Sequence, residues 1–262
     1  MNYKMVVVDM DMTLLNSNHE ITNKTKNIIK KVRQKGIKVV LASGRSYISM
    51  LDYAKDLGIE DEIISLNGGV ITDIKENNMI KEDYLDEEKY IRLMENLEKT
   101  DYSYMIFNAN EQYYERNYCK EKIDWIKSIS KVKLIELQDY KNVLKPIKLG
   151  FQINEENDYN NLVKLPNLNY FKVIKTGYNF VEIVKKDTSK WSAVEFLREK
   201  YNIDSKEIIA IGDSENDLEM IKNSGLGIAM KNAYDNIKDI SDYVTDTNDN
   251  NGVAKALEKF IF

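Results

Sequence analysis

One cysteine, Cys119, and one histidine, His19, are all that the chain offers in thiol or imidazole ligands. An intrachain disulfide is therefore impossible, and a Cys/His zinc site cannot be assembled. A cysteine-dependent phosphatase would need an Arg about six positions after its Cys, but Trp125 stands there, and no Gly-Lys pair exists to build a P-loop. Long apolar runs are lacking too: no stretch approaches the roughly 18–20 residues that cross a bilayer. Asp9 and Asp11 interrupt the N-terminal apolar run where a signal peptide would continue, so a cytoplasmic location is the expectation. Positive charge is in deficit, with 38 Lys and Arg against 43 Asp and Glu and a net charge of −5, which argues against a general nucleic-acid binder. What chemistry remains must rest on carboxylates, Lys, Arg, Ser, Thr and a hard metal.

With 43% hydrophobic and 31% charged residues, the chain has the composition of a soluble globular protein. Its 262 residues suffice for one large domain or a core with an insert. Tyr3–Val8 reads as a strand buried on both faces, Thr22–Gln34 as a helix stopping at Gly36, and Ile37–Leu41 as a second strand. A helix through Met50 to Leu57 stops at Gly58, and the apolar run Glu62–Leu66 precedes Asn67-Gly68-Gly69. This alternation predicts a parallel sheet with helices on both faces. From about Tyr84 the rhythm changes, with a helix over Glu87–Lys99, aromatic strands near Tyr104 and Tyr113 and a helix near Trp125. Strands at Ile147–Ile153, Tyr170–Lys175 and Phe180–Val184, with a helix near Glu156–Val163, complete what reads as an antiparallel sheet. After Lys186 the parallel rhythm returns: helix Ser189–Tyr201, strand Glu207–Ile211, helix Asn216–Lys222, strand Leu226–Ala229. The expectation is an α/β protein: a Rossmann-like core, residues 1–83 and 186–262, with an α+β domain, residues 84–185, inserted in the middle.

Three strand ends carry the chemistry. In an open parallel sheet, ligands bind at the carboxyl ends of strands. The first strand ends in Asp9-Met10-Asp11-Met12-Thr13, two carboxylates and a hydroxyl in one turn. A turn cap explains one Asp there, and two with a Thr less well. The second ends in Ala42-Ser43-Gly44-Arg45, a hydroxyl, a close backbone approach and amides suited to an anion, or else an ordinary turn into a helix. The third runs into Gly212-Asp213-Ser214-Glu215-Asn216-Asp217, where three carboxylates in five residues would repel one another without a cation. The helix dipole accounts for Glu215 and Asp217 and less well for Asp213. Lys190, at a helix start where the dipole disfavours a cation, would by itself read as a surface lysine.

In this order, these segments resemble the haloacid dehalogenase superfamily of phosphatases, and the insert is similar to the large α/β cap of its Cof-type branch. The resemblance covers the whole chain. It implies a Mg²⁺-dependent phosphatase acting on small phosphorylated metabolites through an aspartyl-phosphate, with Asp9 as nucleophile and Asp11 as general acid, then base. It implies Mg²⁺ on the Asp9 carboxylate, the Asp11 carbonyl and Asp213, with Asp217 orienting from behind. Ser43, Gly44, Lys190 and Asn216 would hold the phosphoryl oxygens, Thr13 would pin the nucleophile loop, and Arg45 and Asn67 would touch the substrate. Sugar phosphates, pyridoxal phosphate and flavin mononucleotide all remain open as substrates. The branch usually has glycine where Met12 stands, so Met12 is expected to narrow the space beside the nucleophile. The insert would close over the site, its tyrosines serving packing. The alternatives are a phosphomutase on the same scaffold and a non-catalytic binding protein; neither nucleic acid, membrane nor an obligate protein partner is indicated.

Overall fold

Met5 and Val7 turn to one side of the first strand and Val6 and Val8 to the other, and all four are fully buried. A strand apolar on both faces belongs in the middle of a covered sheet, and that is where the computed structural model puts it. The structure describes residues 3–114, 120–121, 123–124, 132–153, 156–176 and 180–262. The helix expected near Trp125 lies outside them.

The first sheet holds β1 (Met5–Val8), β2 (Lys38–Ala42), β3 (Glu62–Ser65), β4 (Val70–Asp73) and β5 (Asn78–Glu82). It also holds β12 (Ile208–Gly212), β13 (Leu226–Ala229) and β14 (Tyr243–Val244), in the order β14-β13-β12-β1-β2-β3-β4-β5. From β14 to β3 every pairing is parallel; β4 and β5 extend the edge as an antiparallel hairpin. The hairpin escaped the sequence reading because β5 is half exposed along its length and shows no apolar alternation.

One face is covered by α1 (Asn23–Gln34), α2 (Tyr47–Asp56), α7 (Asp235–Ile240) and α8 (Gly252–Ile261). The other is covered by α5 (Lys190–Lys200) and by Met220 of α6 (Leu218–Asn223). Their ends are chemically marked. Thr22 caps α1 by accepting a hydrogen bond from the Thr25 amide at 3.2 Å, and Ser189 and Ser192 form a reciprocal capping box at the start of α5.

The second sheet runs β10-β11-β9-β6-β7-β8, from β6 (Tyr104–Phe107), β7 (Glu111–Tyr114), β8 (Lys133–Glu136), β9 (Lys148–Gln152), β10 (Phe171–Thr176) and β11 (Phe180–Lys185). It is antiparallel except that β7 and β8 pair in parallel, a departure from the uniform antiparallel expectation. The helices α3 (Glu87–Leu97) and α4 (Glu156–Leu162) carry Tyr90, Leu93, Met94, Leu97 and Leu162 into its core. A separate cluster joins the two sheets, with Leu66 and Val70 packed among Met105, Phe107 and Ile147. The two segments linking the sheets are tied together where Thr188 Oγ1 donates to Asp83 at 2.9 Å.

Gly68 shows how tightly one junction is drawn. Its φ is +95°, and a Cβ there would lie 2.0 Å from the Ser189 carbonyl oxygen, at the start of α5. Gly36 has a φ of +79° but open space around it. Gly36→Ala should therefore cost about 1 kcal/mol, the conformational penalty alone, whereas Gly68→Ala should cost more than about 2 kcal/mol in urea unfolding. Equal losses would show that the contact with Ser189 relaxes freely.

Candidate active site

β1 and β12 lie side by side although the chain runs from β1 to β2 in one direction and returns to β12 in the other. Their carboxyl ends therefore flank the topological switch point, where the crevice of an open α/β sheet forms. Asp9 follows β1 directly, its amide still in the ladder with Ile211 O at 3.0 Å. Ser43 follows β2 in the same way, donating its amide to Ile64 O at 3.0 Å.

Lys190, the first residue of α5, is fully buried, and its Nζ donates to Asp9 Oδ1 and Asp217 Oδ1, each at 2.6 Å. Taken by itself in the sequence this position reads as a surface lysine, and only the accompanying segments and the resemblance make it a site residue; two carboxylates more than offset the unfavourable end of the helix dipole. Burial disfavours the ammonium, but Asp217 and Asp9 overcome it and hold the Lys190 pKa above its ordinary value. The other oxygen of Asp217 accepts from the backbone amides of Asp213, at 3.0 Å, and Ser214, at 3.1 Å. Glycine at 212 is required by the same carboxylate, since a Cβ there would come within 2.4 Å of Asp217 Cγ.

Thr13, also buried, donates its hydroxyl to Asp213 Oδ1 at 2.6 Å, so it joins the loop after β1 to the loop after β12. The carboxylates of Asp9, Asp213 and Asp217 each bring an oxygen within 4.8 Å of the others. Burial and the neighbouring Asp217 push the Asp213 pKa up to about 7, against the opposing effects of Thr13 and Lys190. Asp9 is raised well above the usual carboxylate range, by burial and by its acidic neighbours, despite Lys190. Lys190 takes one oxygen of Asp9 and Thr13 one of Asp213, and the two carboxylates also meet each other. Hard oxygen donors whose charge is under-compensated fit a hard divalent cation of the Mg²⁺ type.

Asp11 stands apart from this cluster. It is half exposed and paired bidentately with Arg45, Nε to Oδ2 at 2.8 Å and Nη2 to Oδ1 at 2.6 Å, with His19 Nδ1 3.9 Å from Oδ1. Burial works against the Arg45 charge, and Asp11 more than restores it. Between Asp11 and Thr13, Met12 takes a φ of +59°, the left-handed region that favours glycine, and its side chain is half exposed. Its carbonyl is held by Asn232 Nδ2 at 2.7 Å.

The phosphate-facing candidates form a second connected group. Buried Ser43 accepts from the Arg45 amide at 3.2 Å, and a Cβ on Gly44 would lie 3.2 Å from the Asn67 amide atoms. Asn67 Oδ1 accepts from Asn216 Nδ2 at 3.0 Å, and Ser214 Oγ donates to Asn216 Oδ1 at 2.6 Å. Two members of this group were not singled out in the sequence, Lys148 of β9 and Glu182 of β11. Asn67 Nδ2 donates to Glu182 Oε2, and Lys148 Nζ donates to Glu182 Oε1 at 2.5 Å and to Gly44 O at 2.9 Å. The available signal was a lone charge inside each of two apolar strands, Ile147-Lys148-Leu149 and Val181-Glu182-Ile183.

Known proteins match the chain along nearly its whole length. The haloacid dehalogenase-like hydrolase family matches residues 6–257. The chain is 29% identical to the 5-amino-6-(5-phospho-D-ribitylamino)uracil phosphatase of Bacillus subtilis, over 98% of this chain and 96% of that protein. It is 30% identical to the phosphoglycolate phosphatase of Archaeoglobus fulgidus, over 97% and 96% of the two chains. A haloacid dehalogenase-like hydrolase from Bacteroides thetaiotaomicron, 30% identical, superposes with a TM-score of 0.86 over 100% of both chains. The chain belongs to the haloacid dehalogenase-like hydrolases. It is an enzyme of the phosphatase class, as its motifs predict.

Lys190 is the one cation between two buried carboxylates, so removing it strands both. Lys190→Met should destabilise the metal-free protein by about 3–5 kcal/mol in urea unfolding. A loss below about 1 kcal/mol would show that the two carboxylates are accommodated without the lysine.

Proposed function

We propose that the protein is a Mg²⁺-dependent phosphatase that hydrolyses small phosphorylated metabolites through an aspartyl-phosphate on Asp9. The observation that carries this reading is the buried Asp9 carboxylate, held by Lys190 beside Asp213 at the sheet's switch point. Asp9 and Asp213, with the Asp11 carbonyl, would hold the metal, and Asp217 would orient Lys190 and the Asp213 loop. When bound, Mg²⁺ supplies the charge that lets an anionic nucleophile approach a phosphate dianion.

An oxygen of Asp9 attacks phosphorus as the bond from phosphorus to the leaving oxygen breaks, and Asp11 gives that oxygen a proton. Asp11, now a carboxylate, takes a proton from the water that attacks the aspartyl-phosphate, which releases inorganic phosphate and restores Asp9. Ser43, the Gly44 amide, Lys190 and Asn216 hold the three equatorial oxygens while charge spreads over them. Both oxygens of Asp11 are taken by Arg45 in this structure. Asp11 must exchange that partner for the leaving oxygen, and Arg45 is thereby released toward the substrate. Residues 84–185 act in this reading as a cap over a core of residues 1–83 and 186–262, excluding water from the acid step.

The substrate is a small phosphate monoester. The two relatives above act on a phosphoribitylamino-pyrimidine and on phosphoglycolate, so the shared requirement is the phosphate itself. A cytoplasmic location suits such metabolites, and no described helix is long and apolar enough to cross a membrane.

With p-nitrophenyl phosphate, phosphate release should require Mg²⁺, vanish in Asp9→Asn and fall about 10²- to 10⁴-fold in Asp11→Asn. Release by Asp9→Asn at the wild-type rate would sink the nucleophile assignment. A second expectation follows from protons. Without metal, Asp213 titrates at about 7 in the folded protein and near the ordinary carboxylate value once unfolded. The folded state then holds the extra proton, so this group's contribution to stability falls as pH rises from about 4 to 7. Mg²⁺ displaces that proton, so its gain in melting temperature over EDTA should be larger at about pH 8 than at about pH 5. An equal gain at both pH values would place the metal elsewhere.

A further inference from the structure

Two buried charges on the second sheet remain without a role in this chemistry. Lys148 and Glu182 lie two residues out of register on the adjacent strands β9 and β11, so they share one face of that sheet. Both are buried. The Lys148 ammonium is enclosed by Glu182 Oε1 at 2.5 Å, the Gly44 carbonyl at 2.9 Å and the ring of Phe107, whose centre is 4.4 Å away. A buried ion pair contributes little stability beyond what apolar residues of the same size supply. Both members of this one reach out of their own sheet to groups at the carboxyl ends of the other sheet's strands, Gly44 and Asn67.

The carboxylate also sets a direction. Glu182 can only accept, so the amide nitrogen of Asn67 must face it and the amide oxygen of Asn67 must face Asn216. Asn216 must then present its nitrogen to Asn67 and its oxygen to Ser214. The second hydrogen on Asn216 Nδ2 has no partner among the described residues, and it is a donor aimed from a fixed amide. An Asn67 free to flip would offer Asn216 its own NH₂ group, and the Asn216 amide would lose its orientation.

We propose that Glu182, held in place by Lys148, is a positioning residue for phosphoryl binding, fixing the Asn67 amide and through it the donor group of Asn216. The inference rests on the phosphatase reading above for the role of Asn216, and it makes that role depend on residues contributed by the inserted sheet. Because Lys148 and Glu182 belong to one sheet and Gly44, Asn67 and Asn216 to the other, the donor is set only when the two sheets are together.

The test compares wild type, Glu182→Gln, Asn67→Ala and the Glu182→Gln/Asn67→Ala double variant in two readouts. These are kcat/KM on p-nitrophenyl phosphate and the affinity for inorganic phosphate measured by calorimetry. Glu182→Gln should weaken both by about tenfold or more, and the double variant should be no worse than Asn67→Ala alone. Multiplying losses in the double variant, or Glu182→Gln within about twofold of wild type, would overturn the relay. Should Glu182→Gln fail to fold, Lys148→Met/Glu182→Leu replaces the pair by apolar residues of similar size and keeps the packing. That pair should show the same loss, and wild-type values in it would equally refute the proposal. A wild type that binds inorganic phosphate but turns nothing over would instead count against the phosphatase reading, and the relay would still be read in the phosphate affinities.

Discussion

The ammonium of Lys190 is out of water, and it is the point at which three distant parts of the chain are made compatible. Without it, the end of β1 and the turn before α6 would each bring an uncompensated carboxylate into the same small volume. Its position at the first turn of α5 fixes that helix against the sheet, and the close approach of Gly68 to Ser189 fixes the loop after β3 against the helix. The strand ends cannot shift singly. The Asp9 and Asp217 carboxylates and the backbone amides after β12 are held at mutual distances set by one buried charge and its two partners.

Around this fixed centre the remaining polar groups differ in freedom. Asp217 has every oxygen engaged, by Lys190 and by two backbone amides, and it serves as scaffold. Asp9 and Asp213 are each bonded by a single side-chain donor, Lys190 and Thr13. Asp11 is the most exposed of these acids, half exposed and paired with Arg45. The gradient from Asp217 to Asp11 suits the mechanism proposed above, with a fully bonded cradle where charge would be stabilised and an exposed side chain where protons would move.

Much of this was legible in the sequence because each strand end announces itself: a β-branched run buried on both faces, then an abrupt polar turn. Asp9, Ser43 and Asp213 could be placed at the carboxyl ends of strands from that pattern alone, though not the order in which those strands lie. Lys190 could be named only through the resemblance, since nothing in its own surroundings distinguishes a buried helix-start lysine from an exposed one. Lys148 and Glu182 were visible as charges in apolar strands, but the atoms they bond lie about 104 and 115 residues away in sequence, and no local pattern encodes such a contact. The parallel pairing of β7 with β8 was hidden for a similar reason, because a parallel partner is set by a crossover and not by a turn. Met12 is the converse case: the resemblance flagged it as unusual, and its φ of +59° supplies the reason glycine suits that place.

The pairing of β1 with β12 also has a meaning in time. Met5 sits opposite Ile208, and Asp9 meets Lys190 across 181 residues. At a synthesis rate of about 5–20 residues per second, Asp9 is made roughly 9–36 s before Lys190. For that interval one edge of β1 has no partner strand, and an open apolar edge invites pairing with other chains. The whole second sheet, from β6 to β11, is translated inside the same interval and is complete before Lys190 appears. Asp9 becomes a buried group only when the chain from Lys190 onward delivers both the lysine that balances it and the strand that pairs with β1.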